Sequence, residues 1–152
     1  MKNFIAVFGL LILLTACNTT KGLTIDEEGV SFVRSDKLMT VLEKAKEEDK
    51  LIFVDFYTTW CLPCKMMDED VFTDKNVANY MNQHFINYKV DAERGGGPNL
   101  ALIYQVNVFP TLLFLDADGQ VLVRKEGAAY QTELRRLAEE ALLASSVEKY
   151  GG

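Results

Sequence analysis

The stretch from Leu51 to Lys65 restricts the fold more than any other part of the chain. Leu51-Ile52-Phe53-Val54-Asp55-Phe56-Tyr57 is a β-rich, almost continuous apolar run, followed at once by Trp60-Cys61-Leu62-Pro63-Cys64-Lys65. A strand apolar on both faces suits the centre of a sheet covered by helices on each side. A Cys-x-x-Cys pair that follows such a strand and opens a helix carries redox meaning, which the spacing alone would not. The unpaired amides and positive dipole end at the helix start favour an anion, so Cys61 is expected to be the attacking thiolate, with Cys64 one turn further in. Cys61 then attacks a substrate disulfide and Cys64 resolves the mixed disulfide, or the reverse order oxidises a dithiol. Pro63 fits a first helical turn, and Trp60 is expected to pack beside the sulfur and shape the rim. Two plainer readings compete: a structural disulfide, or half a zinc site completed by Cys17 and His84. The zinc reading lacks a second pair of suitable spacing.

The rest of the chain alternates strands and helices. Gly29 to Val33 suggests a short edge strand, and Leu38, Val41, Leu42 and Ala45 recur at helical spacing with Ser35 or Asp36 available as cap. After Cys64 the pattern predicts a helix through about Asp68, another over Asp74 to Gln83, and a strand over Phe85 to Val90. Gly95-Gly96-Gly97-Pro98 opens a short helix and lacks the Gly-Lys-Ser/Thr ending of a phosphate cradle. Thr111 to Leu115 and Val121 to Lys125 form an antiparallel hairpin around Asp116-Ala117-Asp118-Gly119. A calcium loop there is excluded, since Gly127 stands where the bidentate carboxylate belongs. A final amphipathic helix carries Leu134, Leu137, Ala138, Ala141 and Leu142 on one face. The order predicts an α/β chain: a three-layer α/β/α sandwich with a central mixed sheet.

The first 16 residues stand apart. Lys2 precedes an apolar run from Phe4 to Leu14, too short to span a bilayer as a helix, which reads as an export signal. It ends in Leu14-Thr15-Ala16-Cys17, which resembles the lipobox of bacterial lipoproteins and implies lipidation of Cys17. Lipidation also accounts for the odd thiol among three cysteines once two have paired. The expected plan is a signal over 1–16, a lipidated tether over 17–28, a domain over 29–146 and a C-terminal tail over 147–152. Net charge is −6 with no basic cluster, so nucleic acid is not an expected partner.

Val54 to Tyr57 with Trp60 to Lys65 resembles the active-site strand and helix of the thioredoxin superfamily. Phe109-Pro110-Thr111 resembles that family's cis-proline segment, and Val121 to Gly127 its last hairpin strand. The similarity covers about residues 36–144. The helix before the strand, the Asp70-Val71-Phe72-Thr73-Asp74 break and the Asp91-Ala92-Glu93 loop are most similar to exported thioredoxin-like reductases, among them the soluble C-terminal domain of the membrane disulfide reductase that supplies the periplasm with electrons. The resemblance implies a cis Pro110 beside the cysteine pair, with Phe109 backbone groups open to an extended substrate. It also implies that Asp55, six positions before Cys61, is a buried acid assisting proton transfer at Cys64. Burial would raise its pKa towards neutrality. Two departures stand out: Leu62 replaces the usual glycine, and Asn87 falls near the position of the family's buried lysine.

The reading that results is a thiol:disulfide oxidoreductase with Cys61, Cys64 and Asp55 as its catalytic residues and Trp60, Pro63, Phe109 and Pro110 contacting substrate. It needs no cofactor or metal, because two sulfurs carry both electrons. Its partners would be client proteins with disulfides or thiols and a membrane electron donor, and it would be exported and held to a bacterial membrane by lipid on Cys17. Asp55 and Pro63 favour the reductive direction, while oxidase and isomerase roles remain open. The alternative is a non-catalytic interaction module of the same fold with a structural disulfide.

Overall fold

The computed structural model describes residues 29–33, 35 and 37–150. The expected signal, Cys17 and tether lie outside them, as does Asp36. Five strands, β1 (Phe32–Val33), β2 (Leu51–Tyr57), β3 (Phe85–Asp91), β4 (Thr111–Leu115) and β5 (Val121–Glu126), form one sheet in the order β1-β3-β2-β4-β5. β1, β3 and β2 run parallel, whereas β4 is antiparallel to β2 and to β5, so the sheet is mixed as the sequence predicts. Five helices cover it: α1 (Leu38–Glu48), α2 (Leu62–Met66), α3 (Lys75–His84), α4 (Gly97–Ile103) and α5 (Gln131–Tyr150).

The apolar character of β2 on both faces has the anticipated cause. Ile52, Val54 and Phe56 pack with Val41 and Ala45 of α1 and Leu100 and Ala101 of α4. Phe53 points the other way, among Met81 of α3 and Leu134, Leu137 and Ala138 of α5. Strand alternation by two thus assigns each β2 side chain to one of two helix layers. The α3/α5 side is anchored by aromatic rings, with Phe53 and Phe114 centroids 5.1 Å apart, Phe85 and Phe114 5.3 Å, and Phe32 edge-on to Phe72 at 5.1 Å.

Local chemistry explains the element boundaries. Asp74 caps α3, its Oδ1 accepting from the N–H groups of Asn76 and Val77 at 2.9 and 3.0 Å. α1 has no such cap: Lys37 occupies the position, and the Ser35 hydroxyl accepts the Lys37 N–H at 3.1 Å in a local turn instead. In the hairpin, Asp116 Oδ1 accepts from the N–H groups of Asp118 and Gln120, and Gly119 takes φ +85°. Gly97 opens α4 because its backbone passes the Asp91 carbonyl so closely that a Cβ would lie 1.8 Å from that oxygen. The helix expected through Asp68 changes character on the way: α2 gives way to a π-helical turn over Met67–Val71, closed by Phe72 N–H to Met67 O at 2.9 Å. Met67, Val71 and Phe72 are all buried in the core on the α3/α5 side. α5 runs to Tyr150, past the boundary expected at 146.

Candidate active site

The site forms where β2 ends. The Cys61 N–H donates to Thr58 O at 3.2 Å, turning the chain, and Cys61 becomes the N-cap of α2. Its Sγ accepts the backbone N–H of Cys64 at 3.2 Å, so an amide at the helix start already points at the sulfur that the sequence assigns as nucleophile. Pro63 lies in the first turn, where its missing N–H leaves nothing unsatisfied. Cys61 and Cys64 are joined as a disulfide and both are buried, at 3% and 1% exposure.

The Phe109–Pro110 peptide is cis and leads directly into Thr111, which pairs with Phe56 near the end of β2. Trp60 is exposed and held from two directions: its Nε1 donates to Glu93 Oε1 at 3.0 Å, and its ring meets Phe109 edge-on with centroids 6.1 Å apart. The Trp60–Phe109 contact thereby joins the residue before Cys61 to the cis-proline segment. The Phe109 amide and carbonyl make no backbone hydrogen bond among the described residues, while Pro110 O accepts the Gly127 N–H at 2.8 Å. Exposed Leu62, Met66 and Val108 add apolar surface that the sequence reading had not singled out for substrate contact.

Asp55 shares the sheet face of Phe53, the side covered by α3 and α5, and is 1% exposed. Neither of its oxygens accepts a hydrogen bond. Its pKa is raised to about 6, chiefly by burial. The Lys89 ammonium opposes that rise and the nearby Asp68 carboxylate adds to it. Lys89 is the residue the sequence reading missed. It lies opposite Asp55 in the parallel β2–β3 register, and its Nζ sits 3.4 Å from Asp55 Oδ2, an ion pair without hydrogen-bond geometry. The same Nζ donates to Asp68 Oδ1 in the π-helical turn and lies over the Tyr57 ring, 4.8 Å from its centroid. Asn87, expected near the lysine position, instead lies opposite Phe53 and binds Ser31 O and Asn82 Oδ1. The available signal was a single lysine in an apolar strand: pairing Leu51 with Phe85 and counting four residues along both strands puts Lys89 opposite Asp55. His84, assigned no role, stacks near Tyr80 at 4.6 Å.

A mixed five-stranded sheet between two helix layers, a Cys-x-x-Cys pair capping a helix, a cis-proline just before β4 and a buried acid define a fold of thioredoxin type. The thioredoxin-like domain family model matches residues 38–142, and the chain belongs to that family. A solved structure of a provisionally assigned disulphide-isomerase from Bacteroides thetaiotaomicron is 41% identical, with a TM-score of 0.64 over 78% of this chain and 94% of that one. Chloroplastic thioredoxin Y2 from Arabidopsis thaliana is 35% identical over 64% of this chain. The thiol:disulfide interchange protein DsbD from Vibrio vulnificus is 34% identical over 59% of it. The matched region spans 54% of the first of these two relatives and 16% of the second.

Proposed function

We propose that this protein is an exported, lipid-anchored reductase of client protein disulfides. The observation that carries the reading is the Cys61 sulfur, seated on the Cys64 amide at the start of a helix. In the reduced protein the Cys61 thiolate attacks one sulfur of a client disulfide. A Cys61–client bond forms, and the other client sulfur leaves as thiolate. Cys64 then loses its proton and attacks Cys61 Sγ, closing the disulfide and releasing the second client thiolate. Asp55, with a pKa of about 6, is ionised at neutral pH and serves as acceptor for the Cys64 proton. The client segment lies along Phe109 and Pro110 in extended form, with Trp60 and Pro63 forming the other wall.

The lipobox-like sequence at Cys17 supports membrane attachment, and the likeness to the interchange protein DsbD supports a membrane electron donor that returns the pair to its dithiol form. Deep burial of both sulfurs favours one competing reading, an interaction module with a structural disulfide. The reduction potential of the pair, equilibrated against glutathione, tests both. A value of about −270 mV, with client reduction abolished in Cys61→Ser, supports the reductase; a value of about −120 mV indicates an oxidant, and failure to equilibrate indicates a structural bond.

A further inference from the structure

The segment Tyr104–Thr111, which carries the Phe109–Pro110 edge, belongs to no helix or strand until β4 begins, yet β5 grips it at both ends. At the far end the Gly127 N–H, one residue past β5, holds Pro110 O at 2.8 Å. At the near end the Arg124 guanidinium reaches across from β5, Nη1 donating to Tyr104 O at 2.8 Å and Nη2 to Gln105 O at 2.9 Å. Glu126, two residues along the same strand and hence on the same side, aims that fork by accepting from Arg124 Nε at 3.2 Å and Nη2 at 3.1 Å. Tyr104 is the C-cap of α4, and Gln105 has φ +52°, a left-handed conformation that a non-glycine side chain adopts only when its surroundings hold it there. The helix-end bonds from Gln105 N–H to Leu102 O at 3.1 Å and from Val106 N–H to Ala101 O at 2.7 Å supply part of that hold, and the two charge-assisted bonds to the carbonyls on either side of the Gln105 N–Cα bond add to it. They fix the direction in which the chain leaves α4. From there Val106 is anchored in the core and Val108 O is taken by the Thr111 hydroxyl at 2.7 Å. Little freedom remains at Phe109.

We propose that Arg124, aimed by Glu126, is a positioning residue for client recognition. It touches neither the sulfurs nor, on the proposed binding mode, the client, and acts by holding Gln105 left-handed so that the Phe109 backbone edge is set before a client arrives. Preorganising a loop in its bound conformation lowers the cost of binding without altering the chemistry that follows. This inference rests on the reductase reading above. A mere helix-capping role would change stability and leave client affinity untouched.

The test uses the full mature chain in detergent, reduced beforehand, with two oxidants: a peptide containing an internal disulfide, which needs the Phe109 edge, and a small aromatic disulfide, which does not. In Arg124→Met the peptide KM, read as the concentration giving half the limiting single-turnover rate, rises about tenfold, with that limiting rate and the small-disulfide rate within about twofold of the unsubstituted protein. Adding Gln105→Gly to that variant restores the peptide KM, because glycine adopts positive φ unaided. If Arg124→Met does not fold, Arg124→Lys carries the test, since one ammonium cannot span both carbonyls as the fork does and the KM rises by a smaller factor. An unchanged KM, an equal fall with both oxidants, or failure of Gln105→Gly to rescue overturns the proposal. Failure of the unsubstituted protein to reduce the peptide would instead overturn the reductase reading itself.

Discussion

Replacing Asp55 by Asn should stabilise the oxidised protein at neutral pH and do so far less in acid. The native carboxyl titrates at about 6 against an ordinary value of 3.8. Below 3.8 it is protonated in both folded and unfolded chains and contributes nothing to the pH dependence. Between the two values the folded chain holds a proton that the unfolded chain has lost, so stability falls as pH rises; above about 6 both are ionised and the full cost is present. The gap from 3.8 to about 6 corresponds to about 3 kcal/mol at pH 7.5 and about 0.6 kcal/mol at pH 4. Asparagine removes this term, although its own unpartnered amide adds a penalty that does not vary with pH. The quantity to measure is therefore the difference between the two pH values, about 2.4 kcal/mol, read as a urea midpoint that shifts on the order of 1 M more at pH 7.5 than at pH 4. Both proteins are kept oxidised so that the redox state does not enter. An Asp55→Asn effect equal at the two pH values would refute the argument, because it would mean that burial does not oppose ionisation of this carboxyl.

Lys89→Met should move the Asp55 pKa above 6 and Asp68→Asn should move it lower, since one removes the cation at 3.4 Å and the other the second anion; carboxyl ¹³C chemical shifts against pH report both directions. Phe53→Ala removes a fully buried ring in contact with three other phenylalanines and should cost about 3–5 kcal/mol in chemical denaturation, with less than about 2 kcal/mol arguing that the core relaxes into the space. Cys17→Ser in cells should transfer the protein from the membrane fraction to the soluble one or leave its signal uncleaved, and unchanged, processed membrane association would remove lipid from the account.

Much of the fold was legible because its signals are local and strong. The apolar run of β2 requires cover on both sides, the Asp116–Gly119 turn fixes the hairpin, and Asp74 marks the start of α3 within one residue. The redox pair was equally legible, as strand, turn and helix start fall within fifteen residues. What escaped depends on register and on a backbone irregularity. Lys89 meets Asp55 only through the pairing of two strands 34 positions apart, and Asp68 meets Lys89 from a π-helical turn that no residue pattern announces. Arg124 carries no local signal either, because its carbonyl partners lie 19 and 20 residues earlier.

The entry of the chain into the fold has a mechanical side. β1 pairs through only two residues, and the described segment before it is fastened by a few hydrogen bonds: Val30 N–H to Phe72 O, Ser31 N–H to Asn82 Oδ1, the Asn87 amide to Ser31 O, and the Asn82 amide to Gly29 O. A protein tethered through Cys17 would receive any pull from the membrane at this point. The load would fall on a few bonds stretched one after another while the four longer strands stay joined, and the first ring to leave would be Phe32, which lies against Phe72 and beneath the Lys89 ammonium. Tension on the anchor would thus reach Phe53, Phe72 and the lysine that faces Asp55 through a single ring, while the four longer strands remain paired.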